Sequence, residues 1–491
     1  MELLKLMNET ALVWLRQDLR LTDNRALWEA CKSYHTVIPV FIYSPNEYGG
    51  WPPGAANRWW LHQNLLSLGQ SLQNCGSQLK LFEGNALSVI EQLVAEQNIS
   101  AVYCNRVNEP ALLARDEKIE KQLTRKGVDF FRFNDRTLVD INEIQTKTGS
   151  PYKVFTPFYR SWRKQLANQD NAVLPQPEIT AFDLTLTNEK KLDALNLLDS
   201  FNWHHKLAHY WQPGEQQALD TSQQFIEQRL PYYSSQRDFL NYQTSRLSAY
   251  LQLGVISPKQ ILAQLIQYDV FPDNSEAEHF VREIAWRDFA NSILVHFPQT
   301  TDQPLNERYK NFIWHNDNNA KQFLNVWQQG KTGIPIVDAG MRELWATGTM
   351  HNRVRMITAS LLCKNGLIHW LHGARWFWDT LLDADLASNS LNWQWAAGCG
   401  ADAAPYFRIF NPVTQSRKFD PEGKYIRRWL PELANLDNKR IHAPHESTKS
   451  KSASQSLEFE DINAIPKPVV DLKQSREQAI NHYQSQLTHI N

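Results

Sequence analysis

At 491 residues, 42% of them hydrophobic and 21% charged, the chain exceeds what one core usually supports, so two large domains are expected. A net charge of −1 and a pI near 7.0 exclude a globally basic nucleic-acid binder and leave room only for a local DNA-contacting patch. No apolar run approaches the roughly 20 residues of a membrane span, the opening MELLKLMNET lacks a signal-peptide pattern, and Cys31, Cys75, Cys104, Cys363 and Cys399 are dispersed, which argues for a cytoplasmic protein without membrane, disulfide framework or metal.

The first 135 residues alternate β-rich runs with helical stretches: ALVWL, VIPVFIY, a helix around Asn57 to Gln73, QLKLF, a helix around Ala86 to Glu96, AVYCN and, after another helix, VDFFRF. That order predicts βαβ units and a parallel, Rossmann-like sheet, although no GxGxxG or P-loop accompanies it. Residues 136–205 read as a long connection with a turn at Thr148–Gly149–Ser150–Pro151. From 206 onward helical periodicity takes over, which predicts a second, all-α domain over 206–491. Within it HESTKSKSASQS, His445 to Ser456, is polar and expected to be mobile.

Several segments carry residue sets suited to chemistry. In TSRLSAYLQLGVIS, Thr244 and Ser245 are placed to cap a helix, and Ser245, Arg246 and Ser248 suit a phosphate, although on its own the segment reads more simply as an ordinary helix start. In EIAWRDF, Glu283, Trp286 and Arg287 fall at i, i+3 and i+4. They suit a pocket in which an indole stacks on a base and a carboxyl meets its polar edge, or else Glu283 and Arg287 form a surface ion pair. In MHNRVRM, Asn352 and Met356 share a helix face; an asparagine inside a helix suggests a hydrogen-bonding task, with a solvated turn as the alternative. Trp370 to Asn411 interleaves Trp370, Trp376, Trp378, Trp393 and Trp395 with Asp383, Asp385, Asn389 and Arg408, a pattern hard to bury without a polar ligand. His205 and His209 lack the further ligands of a metal site.

RQDLRLTDN, TSRLS, EIAWRDF, GKTGIPIVDAGMREL, MHNRVRMITAS and the run from DADLASNSLNWQWAAGCG to KYIRRWLPEL together resemble the cryptochrome/photolyase family over nearly the whole chain. The resemblance implies an α/β antenna domain over 1–135, a linker, and a helical domain that binds FAD. By residue, it implies FAD contacts from Tyr232, Thr244, Ser245, Leu247, Ser248, Trp286, Asn352, Arg355, Asp383, Asp385 and Asn389, with Asn389 against flavin N5. It implies a lesion pocket of Glu283, Trp286, Asn352, Arg353, Met356, Trp395 and Arg408, and an electron chain of Trp393, Trp370 and Trp314. WWLHQNL and VNEP resemble antenna-binding segments, which points to 5,10-methenyltetrahydrofolate rather than a deazaflavin, with Asn108 and Glu109 as contacts; the alternative is that Trp59 and Trp60 only pack the α/β domain.

Within the family, the enzymes acting on (6-4) photoproducts use a histidine pair where this chain has Asn352 and Met356, and plant cryptochromes tend to carry aspartate at Asn389 and append long tails. The resemblance therefore implies light-driven repair of cyclobutane pyrimidine dimers in UV-damaged DNA by a monomer using reduced FAD (FADH⁻), with blue-light signalling as the alternative.

Overall fold

The computed structural model describes residues 9–180, 186–403, 408–446 and 466–487. Most of the polar stretch expected to be mobile, from residue 447 on, lies outside them. The chain divides into two compact units. The first takes everything up to Tyr233 together with Ser245–Pro298 and Leu382–Ala387; the second takes Ser234–Thr244, Gln299–Leu381 and the chain from Ser388.

The first unit is built on five parallel strands, β1 (Thr10–Leu15), β2 (Thr36–Tyr43), β3 (Lys80–Glu83), β4 (Ile99–Asn105) and β5 (Asp129–Phe133), in the order β3-β2-β1-β4-β5. The central strand β1 pairs Leu12 with Ile38 on one side and Val102 on the other. Its near-continuous apolar sequence reflects burial on both faces, whereas the edge strand β5 carries Asp129 and Arg132 and is partly exposed. Helices α1 (Arg25–Ser33), α2 (Ala55–Asn74), α3 (Ala86–Gln97) and α4 (Pro110–Arg125) make the crossovers. Asn24 and Asn85 cap α1 and α3 by accepting from Leu27 N and Ser88 N. Trp14, Ile38, Phe82, Ile90 and Ile119 lie in the core beneath.

Residues 136–205 are more than a tether. They contain α5 (Phe155–Asn168), whose Trp162 Nε1 donates to Asp288 Oδ2 at 2.9 Å. Beyond them the first unit holds α6 (Glu215–Gln228), the short α7 (Ser248–Gln252), α8 (Pro258–Gln267) and the long α9 (Ser275–His296). Asp288 on α9 also accepts Leu138 N at 2.9 Å, so α9 fixes the start of the connection. Burial pushes its carboxyl up to about 6.

The second unit is helical: α10 (Asn318–Gln328), α11 (Pro335–Thr347), α12 (Asn352–Ser360), α13 (Trp370–Thr380), most of α14 (Leu386–Ala397), α15 (Pro412–Phe419), α16 (Lys424–Trp429) and α17 (Leu472–Leu487). No strand occurs beyond residue 206 among the described residues. The expected class, a parallel α/β domain followed by a large helical one, is the one observed.

Candidate functional site

In the first unit the candidate cofactor residues gather around α7 and the turn before α14. Thr244 and Ser245 do not cap α7. Its N-cap is Leu247, without a side-chain bond, and Ser245 Oγ lies 3.5 Å from Leu247 N. The reason is Arg246, whose backbone takes a left-handed φ of 57° and turns its guanidinium onto the Trp211 ring at 4.3 Å and the Tyr210 carbonyl at 3.0 Å. Ser248 is exposed and donates its hydroxyl to Asp383 at 2.7 Å. Asp385, two residues on, is buried and paired with Arg136. Breaking such a buried pair from one side costs about 3–5 kcal/mol because the other charge is left uncompensated. Tyr232 is exposed at the end of a single 3₁₀ turn.

Glu283, Trp286 and Arg287 lie at i, i+3 and i+4 on α9. Arg287 donates to the carbonyls of Arg136 and Leu251. Trp286 lies flat on Phe155 of α5, with ring centroids 3.6 Å apart and 8° between planes. Arg282 lies over the rings of Phe155 and Tyr159 at 5.2 and 5.0 Å. Stacking of this kind adds about 0.5–1.5 kcal/mol beyond area burial and locks the indole plane. Glu283, one turn before, is half-buried, as is Trp286. Nothing local in the sequence marked Phe155, which is 131 positions from Trp286.

Asn108 and Glu109 are 4% and 7% exposed, and their polar atoms are engaged within the protein. Asn108 Nδ2 donates to Asn291 Oδ1 at 2.9 Å, while Glu109 accepts from Gln17 at 2.8 Å and from Asn108 N at 3.1 Å. Trp59 and Trp60 are core residues stacked on each other, and Trp60 Nε1 donates to the Ala249 carbonyl.

In the second unit Asn352 is the first residue of α12 and exposed, not a helix-interior asparagine, so the propensity argument for it fails. The N-cap is His351, whose Nδ1 accepts from Arg353 N at 3.2 Å. Arg353 pairs with Asp238 and lies over Phe419 at 4.5 Å, with Met356 Sδ 4.0 Å from its Nη1. Arg355 Nε donates to the Met350 carbonyl at 2.8 Å. Arg408 is exposed, and its backbone carbonyl accepts from the buried Lys364 at 3.0 Å. Burial lowers the Lys364 ammonium to about 8.

The tryptophans of this unit form an ordered series. Trp393 presses on Gly373 of α13 and sits edge-on to Phe377, centroids 5.0 Å apart. Trp370 lies one turn before Gly373 and stacks on His369 at 5.5 Å, and His369 meets the ring of Trp314 at 5.4 Å. Trp393 and Trp370 are 3% and 1% exposed and Trp314 is half-buried, so the series runs toward the surface. Trp395 is half-buried. Asn389 Nδ2 donates to the Ala374 carbonyl at 3.0 Å, which orients its Oδ1 as the remaining acceptor.

Known proteins resemble the chain along its length. Residues 11–178 match the family model described as DNA photolyase, and residues 280–485 match the FAD binding domain of DNA photolyase. A deoxyribodipyrimidine photo-lyase of Agrobacterium fabrum is 40% identical over 474 residues, covering 96% of this chain and 97% of that protein. The chain belongs to the cryptochrome/photolyase family. The family includes Cryptochrome-2 of Arabidopsis thaliana, 37% identical over 96% of this chain and 78% of its own length. A solved bacterial class III photolyase from Agrobacterium tumefaciens superposes with a TM-score of 0.89 at 38% identity, covering 97% of this chain and 98% of that one. The residues fit parts of the FAD that the second family model implies: in the first unit the hydroxyl–carboxylate pair at Ser248 and Asp383 suits sugar or ribityl hydroxyls, and in the second unit the Asn389 carbonyl suits a flavin N–H. Among the described residues no group of side chains could hold a metal ion, and no helix is long and apolar enough to cross a membrane.

Proposed function

We propose that the protein repairs cyclobutane pyrimidine dimers in UV-damaged DNA, acting as a monomer on light absorbed by bound FAD. The observation that carries this reading is Trp286 held flat by Phe155 one helical turn from Glu283: an aromatic plane with a carboxyl at its edge. Extruding the dimer from the duplex costs a few kcal/mol, less for a poorly stacked lesion than for intact bases, and that difference favours damaged sites. On the family resemblance Glu283, Trp286, Asn352, Arg353, Met356, Trp395 and Arg408 would contact the lesion, and Glu283 would hydrogen-bond a base edge as negative charge develops there.

FAD would be held by Tyr232, Thr244, Ser245, Leu247, Ser248, Arg355, Asp383 and Asp385. When bound and reduced, it supplies the excited electron that the dimer borrows and returns, so cleavage involves no net redox change. Asn389 would present its carbonyl to the flavin N5–H, its own N–H being held by Ala374. Trp393, Trp370 and Trp314 would carry electrons inward when the cofactor arrives oxidised. An accessory pigment, 5,10-methenyltetrahydrofolate, belongs to this proposal on the likeness of WWLHQNL and VNEP alone, because the buried Glu109 gives it no support.

The 37% identity to Cryptochrome-2 favours a second reading, blue-light signalling without repair. The amide at Asn389, where plant cryptochromes tend to carry aspartate, favours repair. The test is to illuminate the reduced, FAD-loaded protein with a dimer-containing oligonucleotide. Loss of lesions is expected, and Glu283→Ala should retain FAD while lowering the repair yield per absorbed photon. A wild-type protein that binds FAD but leaves every dimer intact would sink the repair reading.

A further inference from the structure

Arg136 follows the last strand of the first unit, and its side chain is only 4% exposed. Its Nη1 donates to the carbonyl of Gln252, the last residue of α7, at 3.3 Å, and its Nη2 pairs with Asp385 in the turn before α14. The same Nη2 faces Glu109 Oε1 at 3.8 Å, and Glu109 is in turn held by Gln17. At the other end of α7, Ser248 bonds Asp383 at 2.7 Å. Helix and turn are thus joined twice: once through Ser248 and Asp383, once through the two arms of a single guanidinium. A second guanidinium reinforces the first, since Arg287 donates both to the Arg136 carbonyl and to Leu251 of α7.

We propose that Arg136 is a positioning residue for FAD, setting the spacing between α7 and residues 382–385 before the cofactor arrives. The inference rests on the reading that Ser245, Ser248, Asp383 and Asp385 hold FAD. α7 has five residues and its N-cap makes no side-chain bond, so it contributes little order of its own. The turn carries two carboxylates two residues apart, which without compensation repel each other and an incoming phosphate. Arg136 offsets the charge of Asp385 and ties it to the C-terminal end of α7, so less ordering remains to be done on binding. Planar geometry is required, because one ammonium cannot present two donors fixed in a fork.

The test titrates FAD into apo-protein of the wild type, Arg136→Met and Arg136→Lys, following flavin fluorescence at low temperature, with circular dichroism and Tm of each apo form alongside. FAD affinity is expected to fall by about tenfold or more in Arg136→Met and by a smaller factor in Arg136→Lys, with both apo forms folded. Should Arg136→Met fail to fold, Arg136→Lys decides: weakened FAD uptake by a folded Arg136→Lys supports the role. Folded variants with wild-type FAD affinity, even at lowered Tm, overturn it and reduce Arg136 to a scaffold residue. Wild-type apo-protein that takes up no FAD would overturn the cofactor reading itself, a result distinguishable from the former.

Discussion

A Cβ placed on Gly373 would lie 2.1 Å from Trp393 Cη2 and 2.3 Å from Cζ3, so the glycine is where the indole enters α13. Glycine inside a helix costs about 1 kcal/mol relative to alanine, and here that cost is the condition for the ring to reach within one turn of Trp370. Gly373→Ala is therefore expected to destabilise the protein despite improved helix propensity, by about 1–3 kcal/mol from overpacking, and to displace Trp393. Paired with Trp393→Phe, it tests the tryptophan series. Both variants should slow photoreduction of oxidised FAD while sparing repair by protein reduced chemically beforehand. Normal photoreduction in Trp393→Phe would show that electrons enter elsewhere. The indoles were legible in the sequence as an unusual aromatic stripe. Gly373 and Phe155 were not, because what makes them matter is the ring against them, which comes from a distant segment in each case.

At the level of elements, the strands and the crossover helices α2 and α3 were readable within a few residues, since apolar runs and alternation report burial directly, whereas α1 was not singled out and α4 was placed only as a helix before the last strand. Helix starts were harder. Thr244 and Ser245 have capping chemistry, yet the turn of the chain at Arg246 moves the cap to Leu247. Conversely, α12 and α13 are capped by histidines, residues not ordinarily sought there: His351 Nδ1 accepts from Arg353 N and His369 Nδ1 from Leu371 N. An imidazole can accept only when neutral. Burial lowers both rings to about 4, at His351 with help from Arg353 and Arg355 and against Asp238. With folded values below the unfolded 6.5, the unfolded chain takes up protons first as pH falls. The contribution of each cap is complete above about pH 6.5 and is lost as pH falls toward 4, with a slope of about 1.4 kcal/mol per pH unit per histidine. His351→Asn, which caps without titrating, should remove about one proton from the pH dependence of unfolding free energy between pH 6 and 4.5. An unchanged slope in denaturant titrations over that range would show that His351 does not titrate as a cap.

Across the whole molecule, 51 basic and 52 acidic residues leave a net charge of −1, so attraction to DNA must come from where the charges stand. Sequence could name Arg353 and Arg408 as cations in the right segments but not which of them is already partnered. Arg353 pairs with Asp238 and stacks on Phe419, so moving it onto a phosphate would mean breaking contacts it already has. Arg408 is exposed, 5.9 Å from the Phe410 ring, with its backbone anchored by Lys364. A phosphate neutralised by a protein cation releases condensed counterions and contributes about −0.9 to the slope of log affinity against log salt. Arg408→Ala is accordingly expected to flatten that slope for dimer-containing duplex by about one unit. Arg353→Ala should change the slope little and instead lower Tm, because it strips Asp238 and Phe419 of their partner. Measuring both slopes between 50 and 200 mM salt separates the two arginines. Equal flattening would mean that Asp238 releases Arg353 when DNA binds, and a flat response in both would move the phosphate contacts to other cations of the helical unit.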